Sequence, residues 1–239
     1  MTSGMAQAVT TPDGRRLAYL EVGDPHGPLV LHNHGGPSSR LEARLLGNAA
    51  AKNGLRFVCV DRPGMGQSSP QKARSCAAWA DDLVTIADAL GGSLAQHFTP
   101  AFRLMYAALG LSAKRFRSSF VKQIRNNLSA DGKQILSNPE VATGFGDACA
   151  ECFAHGSDGL VRDAELLYRR WAFDVKMIKR PVHLWQGLDD RLVPDPVNKA
   201  VADAMRGTVW HPVEGAGHFL AVGSADDILS VTATELGAA

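Results

Sequence analysis

The sequence predicts an α/β protein in which a mostly parallel, doubly wound sheet is interrupted by a helical insertion. Three observations carry that expectation. Apolar runs of strand length alternate with helical periodicity near both ends of the chain. The middle runs lack a polar alternate face, which suits strands covered by helices on both sides. Between the two alternating parts, residues 98–171 carry helical pattern only, far more chain than the usual connection of about 2–6 residues.

The elements follow in order. Asp13-Gly14 marks a hairpin turn between "AQAVTT" and the strand "RLAYLEV", Arg16 to Val22. Further strands are "PLVLHNH" (Pro28 to His34), "RFVCVD" (Arg56 to Asp61), "PVHLWQG" (Pro181 to Gly187) and "GTVWHPV" (Gly207 to Val213). Of these, Leu29 to His32, Phe57 to Val60 and Val182 to Gln186 are expected at the centre of the sheet and parallel. In "CAAWADDLVTIADALGG" the residues Trp79, Leu83, Ile86, Ala87 and Leu90 recur at helical spacing, and Gly91-Gly92 supplies a stop. Within the insertion, Asn138 and Pro139 read as N-cap and first residue of a helix; Asp195 and Pro196 do the same before "VNKAVADAM". The core is assigned to residues 1–97 and 172–239. Residues 98–171 are expected to lie over one rim of the sheet as a lid.

Composition narrows the function. Lys and Arg number 25 against 24 acidic residues, so a net charge of +1 gives no field to draw nucleic acid or an anionic membrane. A small molecule is the expected partner. No apolar run reaches the roughly 18 residues of a membrane span, and "MTSGMAQAVTTPDG" has no signal-peptide pattern. These features predict a soluble, cytoplasmic protein. Cys149 and Cys152 form a C-x-x-C inside an apparent helix with no second pair, so they read as small apolar residues. Neither a metal nor a cofactor is expected.

Three loops at strand ends carry distinctive residues. "HNHGGPSS" places Gly35 and Gly36 where backbone N–H groups can turn toward a developing oxyanion. "QGLDDRLVP" places carboxylates past a strand, and "VEGAGHFLAV" places His218 past the last one. An Asp and a His on one rim can form an acid-oriented base. His32 and His34 would be metal ligands only if further partners converged. His26, His97, His155, His183 and His211 have no partner visible in sequence.

With "HGGP" (His34 to Pro37), "DRPGMGQS" (Asp61 to Ser68), "GLDDRLVP" (Gly187 to Pro194) and "GAGHF" (Gly215 to Phe219) in this order, the chain resembles the α/β-hydrolase fold family, close to proline-iminopeptidase-like hydrolases with an HGGP loop. The resemblance implies hydrolysis of an ester or amide bond. It puts the catalytic acid on Asp190, the base on His218 and an oxyanion N–H on Gly36; Ser68 would shape its loop rather than attack.

The nucleophile is where the resemblance fails. Family members carry it in G-x-S-x-G at a strained turn between strand and helix, and no G-x-S-x-G occurs here. "HGSDG" at His155 has the wrong spacing. "GGSLA" (Gly91 to Ala95) satisfies G-x-S-x-A with Ser93 at its centre, yet it directly follows a helix where the motif needs a strand. The central strand–elbow–helix–strand unit, which takes ~30 or more residues, reads as absent. Its loss would leave two facing sheet edges. Either the "PLVLHNH" and "PVHLWQG" strands close up into a contracted sheet, or apolar edges remain and favour self-association. Three functions stay open: an active serine hydrolase using Ser93, a crippled member that binds a small ligand, and a helper subunit completed by another chain.

Overall fold

The computed structural model describes residues 6–71, 76–90, 112–167 and 174–237. Four strands, β1 (Gln7–Thr10), β2 (Arg16–Gly23), β3 (Leu29–His32) and β4 (Arg56–Val60), form a sheet in the order β1-β2-β4-β3. The first two pairings are antiparallel, and β3 runs parallel to β4. A second sheet pairs β5 (Val182–Gly187) with β6 (Thr208–Val213) in parallel.

Phe57 to Val60 of β4 are all buried and alternate between two cores, so helices cover both faces of the first sheet. Phe57 and Cys59 meet α1 (Ala43–Lys52) and α9 (Ala225–Glu235) through Leu46, Ala50 and Leu229. Val58 and Val60 face the other way, onto Leu83 and Ile86 of α2 (Cys76–Leu90). Arg15, beside the hairpin turn, grips the Asp82 carboxylate with two guanidinium nitrogens at 2.9 and 2.6 Å and ties the hairpin to α2.

The stretch read as an insertion is helical: α3 (Arg117–Asn127), α4 (Ala130–Ile135), α5 (Pro139–Cys152) and α6 (Asp158–Leu167). Asn138 caps α5 as expected, its side chain accepting from the Glu140 and Val141 amides at 2.9 and 3.4 Å. Phe120, Leu136, Phe153 and Leu160 pack against Met65 and Phe219, so this block shares one core with loops of both sheets. Helices α7 (Asp195–Ala204) and α8 (Leu220–Gly223) complete the second half. The capping of α7 differs by one residue from expectation, with Pro194 as N-cap and Asp195 already helical.

One expectation is corrected. Of these three strands, among the described residues, Phe57 to Val60 alone is flanked on both sides; Leu29 to His32 and Val182 to Gln186 lie at edges, and β3 does not pair with β5. A groove of about 470 Å³ separates them, lined by Leu29 and Val30, by His183 and Trp185, and by Ile228 and Val231 of α9. Each sheet is anchored elsewhere. Helix α9 is packed on α1, while the loop beyond β6 is held to α4 by a hydrogen bond from the Gly217 amide to Asp131 at 3.1 Å.

Among the described residues no helix is long and apolar enough to cross a membrane.

Candidate active site

His218 sits in the loop after β6, and Asp190 in the loop after β5. Because the two strands are parallel neighbours, both loops leave the same rim. The His218 Nδ1 and the Asp190 Oδ2 lie 2.9 Å apart, so Nδ1–H donates to the carboxylate. The other carboxylate oxygen accepts from the amides of Leu192 and Val193 at 2.8 and 3.1 Å. Asp190 is therefore fixed by its own loop before it orients the imidazole. The Asp190 side chain is 10% exposed and that of His218 is 43% exposed. The free edge of the ring faces outward, and among the described residues no hydroxyl or thiol is hydrogen-bonded to it. Asp189 is exposed, with its amide bound to the Ala216 carbonyl at 2.9 Å.

The helical block touches the His218 loop at Gly217. Besides accepting from the Gly217 amide, its α4 end presents Ser129 Oγ so close to Gly217 that a Cβ there would stand 1.9 Å from it. A side chain at that position would require Ser129 to move.

The HGGP loop is held by residues that spacing in the sequence did not single out. Glu42 accepts from His32 at 2.7 Å and from the Gly35 amide at 3.2 and 3.3 Å. Burial raises the Glu42 pKa, but the His32 hydrogen bond and the neighbouring imidazoles outweigh it and bring it down to about 2. The Gly35 N–H is thus committed to a carboxylate. Gly36 is exposed and its amide has no acceptor among the described residues. Arg62 donates to the carbonyls of His34 and Gly35. His34 is buried and accepts the Arg62 amide at Nε2, 3.3 Å, so its Nδ1–H donates to the Gly35 carbonyl at 2.8 Å. Burial, with the Arg62 charge second, pulls its pKa down to about 3 and keeps the ring neutral. Cys149 of α5 donates its thiol to the Pro37 carbonyl at 3.0 Å, joining the helical block to the same loop.

The C-x-x-C thiols are packing groups. Both are buried, which pushes Cys149 well above the ordinary thiol range and Cys152 up to about 12. Among the described residues no cluster of three or more His, Cys, Asp or Glu has the arrangement of a metal site. Ser93, with Gly91, Gly92 and His97, lies outside the described residues.

Ser68 is fully buried; its hydroxyl donates to the Asp61 carbonyl at 2.7 Å and accepts the Ala18 amide at 2.9 Å. It stitches the loop after β4 to β2. Ser68→Ala is expected to lower stability by about 1–3 kcal/mol, because a buried amide loses its acceptor, and to leave any hydrolysis untouched. Denaturant melts and initial rates on the same preparation check both halves.

A family model described as "alpha/beta hydrolase fold" matches residues 28–95. "Probable oxidoreductase EphD" of Mycobacterium tuberculosis is 36% identical over 96 residues, 39% of this chain; the match spans only 15% of the length of that relative. The fold is similar to an esterase from Exiguobacterium antarcticum (TM-score 0.67, 15% identity, covering 98% of this chain and 100% of the other). A thermophilic esterase from Thermogutta terrifontis (TM-score 0.66, 17% identity, 98% and 99%) and an enol-lactonase from Burkholderia xenovorans (TM-score 0.64, 16% identity, 97% and 100%) are also similar. At these identities the likeness concerns the fold.

Proposed function

Starting from the α/β-hydrolase fold that this chain has, we propose that its ancestral activity is hydrolysis of an ester or amide bond in a small molecule, and that turnover is impaired here. The observation that carries the reading is the imidazole of His218, oriented by Asp190 at 2.9 Å yet with no described hydroxyl or thiol at its free edge. In that arrangement His218 would take a proton from an attacking hydroxyl and return it to the leaving group, while Asp190 holds the tautomer and stabilises the imidazolium. Gly36 is the amide open to an oxyanion. Gly35 would first have to give up Glu42, so the hole rests on one donor of the pair expected. Removing one such donor typically costs about 10²–10³ in kcat, which lowers turnover further. Ser93 in "GGSLA" is the candidate nucleophile, in a context without the preceding strand that presents an attacking serine.

Incubation with a fluorophosphonate, followed by intact mass, tests the proposal. Little or no adduct is expected, hydrolysis of p-nitrophenyl acetate should stay near background, and His218→Ala should change it little. Stoichiometric labelling at Ser93, together with robust activity abolished by Ser93→Ala, would overturn the impairment.

The groove between β3 and β5 favours a second reading, a non-catalytic member that binds a small ligand or is completed by a partner chain. Ligand-induced stabilisation of a His218→Ala variant would favour it.

A further inference from the structure

A second cavity lies between α3 and α5, and its described lining includes none of Asp190, His218, Gly35 and Gly36. Its volume is about 600 Å³, inside the range of about 300–1,000 Å³ typical of small-molecule sites. Val121, Leu136 and Ala142 supply apolar wall, and Val121 and Leu136 are buried. Phe116, also on the wall, is 64% exposed and offers its ring to an occupant.

Among the described residues the charged part of the lining is almost all of one sign. From Ser112 to Ala130 the chain carries five cations, Lys114, Arg115, Arg117, Lys122 and Arg125, and no acid, although the whole protein is nearly neutral. Four of the five line the cavity. Asp147, across the groove on α5, neutralises Arg117. Arg115, Lys122 and Arg125 have no ion pair among the described residues. Ser118 and Ser119 add exposed hydroxyls. Three uncompensated cations beside an apolar wall repel one another, and they gain most from a ligand that brings negative charge and hydrocarbon together.

We propose that this cavity binds a small, soluble organic anion with a short apolar chain, of the alkyl phosphate class. Arg115, Lys122 and Arg125 hold the charged head, and Phe116, Val121 and Leu136 take the chain. Concavity favours a free molecule over a flat anionic surface. The site does not depend on the Asp190–His218 pair, so its success or failure is separate from that of the hydrolase reading.

Calorimetric titration of the full chain with octyl phosphate, below its micelle concentration, tests this. Saturable one-to-one binding that weakens with added salt is expected, and His218→Ala should bind equally well. Lys122→Gln with Arg125→Gln should weaken octyl phosphate about a hundredfold, the loss of two charge-assisted contacts at about tenfold each. Phe116→Ser should weaken octyl phosphate and leave the feebler binding of inorganic phosphate unchanged. These side chains lie outside the buried core, and unchanged helical circular dichroism checks that the variants fold. The proposal is overturned if octyl phosphate does not bind, if the charge variants bind it unaltered, or if neutral octyl glucoside binds as tightly. It is equally overturned if anionic phosphatidylglycerol vesicles capture the protein while monomeric octyl phosphate does not.

Discussion

Asp61→Ala is expected to lower the stability of the fold by about 3–5 kcal/mol, the loss associated with removing one partner of a buried ion pair. Asp61 is 0% exposed and accepts three hydrogen bonds: from the Arg40 amide at 2.6 Å, the Arg40 guanidinium at 2.7 Å and the Gln67 amide at 2.8 Å. Burial pushes its carboxyl pKa up, and Arg40 with the two amides limits the rise. Truncation leaves two amides and a buried guanidinium facing a void. The same loop has no slack, since a Cβ on Gly66, at φ +51°, would stand 2.1 Å from the Asp61 carboxylate. Arg40 also reaches Glu151 at 2.8 Å, so the change should loosen the helical block as well. In a chain of this size the melting temperature should fall by roughly 10 °C. Asp61→Leu with Arg40→Met should recover part of the loss, because the unpaired charge goes with its partner. A single variant melting within about 2 °C of the parent would show that the pair contributes little.

What the sequence made legible was whatever depends on local period or on position at a strand end. The apolar runs gave each strand among the described residues to within a residue or two, and the α5 cap was readable from Asn138-Pro139 alone. Asp190 and His218 were readable because each lies just past a strand in a loop of small or turn-forming residues. Contacts between elements were not readable. Glu42 belongs to the turn before α1 and Arg62 to the loop after β4, and no spacing rule links either to the Gly35 amide or carbonyl. His183 and His211 looked unpartnered, yet they lie 2.9 Å apart, with the His211 ring stacked on Trp185 at 4.1 Å. That pairing follows from the β5–β6 register, which sets Trp185 opposite His211, and a register is fixed only once the two strands are known to be neighbours. Whether the sheet would contract was equally out of reach. The contacts that place the two halves, α9 on α1 and the Gly217 amide on Asp131 of α4, are both long-range.

The last expectation is that the fold loses stability steadily as the pH drops below about 6.5, and that His34 is the main cause down to about 4.5. Folded His34 has a pKa near 3, against an ordinary value of 6.5. Between those values the unfolded chain binds a proton at this residue and the folded chain does not. Stability therefore rises with pH across the window, by up to about 1.4 kcal/mol per pH unit from this group. Glu42 acts in the same direction lower down. Its folded pKa of about 2 lies below the ordinary 4.5, so its contribution is complete above 4.5 and is lost as pH falls toward 2. Asp61, raised by burial, works the other way and softens the loss. His34→Gln removes the titrating ring while leaving a donor and an acceptor that can face the Gly35 carbonyl and the Arg62 amide. Urea melts at intervals from pH 7.5 to 4.5 should show the variant less stable at the upper end and markedly flatter across the range. Parallel profiles for the two proteins would mean that His34 is not held neutral by the fold, and that acid sensitivity arises elsewhere. His34, Glu42 and Arg62 all bond to Gly35, so the ring whose protonation opposes folding is part of the support of the loop proposed to receive an oxyanion.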